Sequence, residues 1–129
     1  LDAAHPDRSV KWGWLFPVLW CGLIFIASSL PDITTPKGLF APDKLIHFAE
    51  YAVLAALVVT GLSEFVSWPA GYRAALAFGA CLVFGALDEV YQHSMSGRAA
   101  DYLDFVSDIA GALAGQSVFI VGRIRKGRA

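Results

Sequence analysis

The chain has 129 residues, of which 57% are hydrophobic and 16% charged, with a formal net charge of −1. Soluble domains carry roughly 25% charged residues, so this composition points to a membrane, and a nearly neutral chain offers no basic field to nucleic acid. Cys21 and Cys81 both fall inside apolar runs without CxxC spacing or an adjacent histidine, which argues against a zinc knuckle or redox pair and for two buried, inert thiols.

A helix needs ~20 mostly apolar residues to cross the hydrocarbon core, and four stretches fit. The first runs from Trp12 to Leu30, stops at Pro31 and carries Pro17 in its opening turns. Arg8 and Lys11 ahead of it and the small Ala27-Ser28-Ser29 at its end would also suit a cleaved signal peptide, but the bulky Trp12, Trp14, Phe16 and Trp20 favour a retained span. The second is Lys44 to Phe65, rich in Ala, Leu and Val; the third is Tyr72 to Tyr91; the fourth is Tyr102 to Val121. None shows the period-two alternation of a membrane barrel. The expectation is an all-α integral membrane four-helix bundle, one transmembrane domain over 1–129 with no separate soluble module.

Loop charge gives a direction. Arg8 and Lys11 flank the start, Arg73 follows the second span, and Arg123, Arg125, Lys126 and Arg128 end the chain. The positive-inside rule places both termini and the 66–71 turn in the cytoplasm, with Trp12, Trp14, Trp68 and Tyr72 as an aromatic belt at that interface. Loops 31–42 and 93–100 then lie outside, where Lys37, Lys44 and Arg98 are the cations.

This orientation gathers the polar residues. Asp43, His47 and Glu50 open the second span, Asp88, Glu89, Gln92 and His93 close the third, and Arg98, Asp101, Asp104 and Asp108 lead into the fourth. All belong to the outer half. An ionised side chain at the bilayer centre costs ~2.5–3.5 kcal/mol on insertion scales and usually faces a partner, a cavity or a pathway. Asp43, His47 and Glu50 or Tyr51 share one helix face, Asp88 pairs with Gln92 and Glu89 with His93 at i, i+4, and Asp101, Asp104 and Asp108 continue into Gly111 and Gly115. At 1.5 Å per residue, Glu50 and Asp108 sit roughly 10 Å below Asp43 and Asp101. Gly111-xxx-Gly115 allows close helix approach beneath them. The picture is an outward-open polar funnel floored by small residues.

Plainer roles exist for each member. Asp43 and Asp101 stand where N-caps belong, with Asp104 three positions on; His47 can be a hydrogen-bonded packing residue; Tyr91 and Tyr102 suit interface anchors; Arg98 can neutralise its acidic neighbours. Capping does not account for Glu50, Asp88, Glu89 and Asp108 inside spans. Carboxylates with one or two imidazoles suit a divalent metal, with Glu89 and His93 as a helical ligand pair, although no HExxH is present. Crowded carboxylates can equally supply a general acid beside a general base, with His47 as shuttle. Arg98 and the helix N-termini suit an anion. No serine or cysteine nucleophile with a paired base is visible.

At these residues the chain resembles the VanZ-like family of small bacterial membrane proteins. The matching pieces are Asp43-Lys44-Leu45-Ile46-His47 with Tyr51, Asp88-Glu89-Val90-Tyr91-Gln92, Gly97-Arg98, Asp104, and Gly111-Ala112-Leu113-Ala114-Gly115, spread over 43–115. The resemblance implies residence in the bacterial cytoplasmic membrane and, for the founding member, a contribution to resistance against the glycopeptide teicoplanin. It carries over Asp43, His47, Tyr51, Asp88, Glu89, Gln92, Arg98 and Asp104 as the site. The family often has Asn where this chain has Asp108, and His93 lies outside the pattern, which weakens the metal reading.

The expected function is recognition or modification of a lipid-linked or phosphorylated envelope component on the outer face. His47, Asp88, Glu89 and Asp104 would carry acid/base or metal chemistry, while Arg98, Gln92, Tyr51, Asp43 and Asp108 would bind the ligand. The rivals are a non-catalytic binding or assembly subunit with a structural polar network, and a proton- or ion-coupled transporter. The largely apolar inner halves and the lack of broken helices or repeats disfavour the transporter.

Overall fold

A computed structural model describes residues 12–30, 41–95 and 101–126, with side chains to 122. The described elements are four helices: α1 (Leu15–Ser28), α2 (Pro42–Phe65), α3 (Ala70–Ser94) and α4 (Tyr102–Lys126). Three of them, α2, α3 and α4, are long and apolar enough to cross a membrane. Their outer surfaces agree with that solvent: Val83, Val90 and Val118 are 62%, 69% and 76% exposed. Such a spread of large apolar side chains is foreign to a water-facing surface. The chain is a membrane protein by this measure.

The first span differs from the expectation. Helix α1 has 14 residues, about 21 Å at 1.5 Å each, and falls short of the length a crossing needs. Its start is fixed from outside. The Gly13 amide donates to Glu64 Oε2 at 2.9 Å, and a Cβ on Gly61 would meet the Gly13 backbone. At its other end Ser29 is the C-cap, its amide still bonded to the Phe25 and Ile26 carbonyls and its hydroxyl 2.7 Å from the Phe25 carbonyl. The other three helices contain the expected spans and extend them. Pro42 sits at the first turn of α2, where its fixed φ suits a helix start and its missing N–H goes unneeded. As a result Ala41 is the N-cap and makes no side-chain cap bond, so Asp43 is not the cap its position promised. Asp101 is: its Oδ1 accepts from the Leu103 amide at 3.0 Å.

Helices α1 and α3 run one way, α2 and α4 the other. The Trp20 indole donates to the Glu50 carbonyl at 2.9 Å, tying α1 to α2. The α2–α4 pairing is the tightest. A Cβ on Gly111 would come within 2.9 Å of the Phe48 carbonyl carbon, and one on Gly115 within 2.7 Å of that of Ala52. The expected GxxxG approach is thus realised against α2 in parallel register. Around it Ile24, Tyr51, Leu54, Val59, Cys81 and Ala112 form the apolar core. Cys81 is buried, Cys21 half-buried, and both are free thiols.

Candidate functional site

The polar residues meet at one end, where α1 and α3 finish and α2 and α4 begin. Along α2 the buried stripe is Lys44, His47, Tyr51, spaced i, i+3, i+7 and aimed at α4. Asp43 and Glu50, expected on the same face, lie beside it and are only half-buried. Lys44 is the central cation. Its Nζ is 2.8 Å from Asp43 Oδ2 and 2.8 Å from Asp101 Oδ2, and it also bonds Asp104 Oδ1. Three carboxylates around one ammonium compensate a charge whose side chain is 3% exposed; unpaired, it would be expelled from such a place.

One turn deeper, His47 Nδ1 lies 2.9 Å from Asp108 Oδ1, and Nε2 lies 4.0 Å from Asp104 Oδ1. Asp108 thus fixes the ring plane, and the second nitrogen looks back toward the mouth. Across the bundle, Ser28 Oγ of α1 donates to Asp88 Oδ2 at 2.8 Å. Gln92 Nε2 donates to the same oxygen at 3.0 Å and to Ser28 Oγ at 3.1 Å. Tyr91 completes this wall, with its hydroxyl 3.0 Å from Ser29 Oγ and its ring 4.4 Å from that of Phe25.

Between the two networks stands Gly85 of α3. A Cβ there would lie 3.3 Å from each of Asp108 Oδ2, Tyr51 Cε1 and Phe105 Cε2, so the bare glycine lets α2 and α4 side chains reach α3. Tyr51 is 0% and Asp108 2% exposed, yet Tyr51 OH and Asp108 Oδ2 have no hydrogen-bond partner among the described residues. Glu89, one turn beyond Gly85, is half-buried with Oε1 likewise unpartnered. It lies within electrostatic range of Asp104, His47, Asp108 and Asp88.

Of the expected site residues, Asp43, His47, Tyr51, Asp88, Glu89, Gln92, Asp104 and Asp108 come together at this end. Arg98 lies outside the described residues. His93 is exposed, at the edge of the cluster next to the buried Gln92. Among the described residues no group of three His, Cys, Asp or Glu side chains is placed to hold a metal ion; the densest carboxylate group is filled by Lys44. The sequence showed Lys44 only as an outer-side cation at the start of the second span. Its spacing of three from His47 was the available signal. Ser28 and Gly85 gave none, because their roles depend on α1 and α3 lying side by side.

No family model, curated protein or solved structure matches the chain.

Proposed function

We propose that this chain is a VanZ-like, multi-pass protein of the bacterial cytoplasmic membrane that receives a polar component of the cell envelope at its outward end. The component is a lipid-linked or phosphorylated headgroup, and interference with glycopeptides such as teicoplanin is one consequence. The supporting observation is Glu89: in a cluster where Lys44, His47, Asp88 and Gln92 are all engaged, this half-buried carboxylate keeps one buried oxygen without a hydrogen-bond partner among the described residues. Loop charge supports the outward orientation, and the motif resemblance over 43–115 supports the family.

In this reading Glu89 contacts the ligand and exchanges a proton with it. His47 acts through Nε2, with Asp108 holding Nδ1 and therefore the tautomer, as in other carboxylate-oriented imidazoles. Arg98, from the adjoining loop, holds the anionic part. Asp43, Asp101 and Asp104 position Lys44, and Asp88 with Gln92 holds the wall.

A second reading is that the cluster only locks the helices of an assembly subunit, and the closed Lys44–carboxylate and Ser28–Asp88–Gln92 networks favour it. Glu89→Gln and Arg98→Ala separate the two, scored by folded yield in detergent and by teicoplanin susceptibility of expressing cells. Normal yield with an altered phenotype supports a ligand site. Collapse of the fold, or normal yield with the wild-type phenotype, refutes it.

A further inference from the structure

Arg73 stands at the end of the bundle opposite the polar cluster, in the first turn of α3. Its side chain is half-buried and forms no ion pair among the described residues, and its Nε is buried there without a hydrogen-bond partner. A guanidinium carries five N–H donors and is matched best by a phosphate or a carboxylate. Among the described residues the carboxylate of this end is Glu64, which the Gly13 amide already engages. Pro69 gives α3 no side-chain cap, and no acidic residue stands in its first turn, so the positive end of the helix adds to the guanidinium. Helix α4 finishes at this end too, with Arg123, Arg125 and Lys126 in its last turns. The balance favours an anion.

Below Arg73 the same face of α3 becomes an apolar groove of about 510 Å³. Leu76, Ala80, Phe84 and Leu87 follow Arg73 at i+3, i+7, i+11 and i+14, which is one helix face, and all four line the groove. Ala75 and Gly79 keep it open, and a Cβ on Gly79 would meet nothing within 4 Å. From Ala75 to Leu87 the groove runs ~18 Å at 1.5 Å per residue, close to the ~15 Å of one leaflet's hydrocarbon. Trp68 and Tyr72 are exposed next to Arg73 in the chain, aromatics suited to the headgroup level. A cation at the head of an apolar groove one leaflet deep matches an amphiphile with an anionic head. We propose that this face of α3 binds a phospholipid of net negative charge, with its phosphate on Arg73 and one acyl chain along Ala75–Leu87. The site shares no residue with the Glu89 end and stands independently of the envelope reading.

The test uses the full-length protein in detergent, melted in rising dioleoylphosphatidylglycerol, dioleoylphosphatidylcholine or inorganic phosphate. The site predicts a saturable rise in melting temperature with phosphatidylglycerol, a weaker one with phosphatidylcholine and none with phosphate. Arg73→Gln raises the phosphatidylglycerol concentration needed for half the effect roughly tenfold, to the level of phosphatidylcholine. Gly79→Leu fills the groove at an open position and weakens the response to both lipids. Arg125→Gln removes a charge from the same end outside the groove and leaves the preference in place. Equal responses of the wild type to the two lipids overturn the proposal, as does an equal rise with inorganic phosphate. Equal weakening by Arg73→Gln and Arg125→Gln also overturns it, because a diffuse attraction to a basic membrane end then accounts for the effect. Where Arg73→Gln does not fold, Gly79→Leu decides, and an undiminished lipid response in that variant refutes the groove.

Discussion

Substituting Gly115 by alanine tests the helix pairing on which the polar end is built. The added Cβ would lie 2.7 Å from the Ala52 carbonyl carbon and 2.9 Å from its Cα, and closer still to the carbonyl oxygen. Carbon atoms pack best at about 3.5–4.0 Å, so α2 and α4 must separate locally by roughly 1 Å. Nothing cheaper is available, because the obstructing atoms are backbone and no rotamer change clears them. Overpacking of this kind typically costs about 1–3 kcal/mol, and a backbone clash belongs at the upper end, about 3 kcal/mol. Gly22 and Gly79 supply the control, since a Cβ on either meets nothing within 4 Å. There alanine gains helix propensity, about 0.5–1 kcal/mol in favour of the fold. Reversible unfolding in mixed micelles, titrated with a denaturing detergent and followed by helical circular dichroism, measures all three variants. The predicted order is Gly115→Ala well below wild type and Gly79→Ala at or above it. Equal stability of Gly115→Ala and Gly79→Ala would refute the close parallel packing of α2 on α4.

Two further outcomes follow from the polar networks. Lys44→Met leaves three carboxylates crowded without their cation and is expected to destabilise by about 3 kcal/mol, the lower range for breaking a buried ion pair, since Asp43 and Asp101 retain partial solvent contact. Adding Asp104→Asn should recover part of that loss in the same unfolding assay; strict additivity of the two changes would contradict the contact. Ser28→Ala removes hydrogen bonds to Asp88 and Gln92 and should lower stability by about 1–2 kcal/mol. It should also speed proteolysis between α1 and α2, and an unchanged cleavage rate would show that Ser28 does not anchor α1.

The sequence carried the helical architecture because its apolar runs have the length and lack of alternation that only helices satisfy. It also carried the α2–α4 seam. Gly111 and Gly115 continue the stripe begun by Asp104 and Asp108, and small residues at that spacing serve close backbone contact. Local spacing could not give tertiary surroundings. Lys44 looks like a solvated cation at a helix entrance until Asp101 and Asp104 of α4 close over it. Asp43 looks like an N-cap, but Pro42 takes the first turn and moves the cap to Ala41, whose methyl side chain cannot accept a hydrogen bond. The run from Trp12 to Leu30 has the composition of a span, yet only Leu15–Ser28 is helical, with the Gly13 amide ahead of it tied to Glu64. Ser28 and Gly85 matter solely for what stands opposite them, which no period along the chain encodes.

Thiol labelling in intact cells tests most directly whether the gathered polar end faces outward. In a background with Cys21 and Cys81 replaced by serine, His93→Cys places a thiol at an exposed position beside the polar cluster, and Ser67→Cys places one at the exposed opposite end. A membrane-impermeant maleimide is predicted to label His93→Cys in whole cells and Ser67→Cys only after permeabilisation. The reverse pattern, or labelling of both in intact cells, would contradict an outward-facing site at the membrane surface.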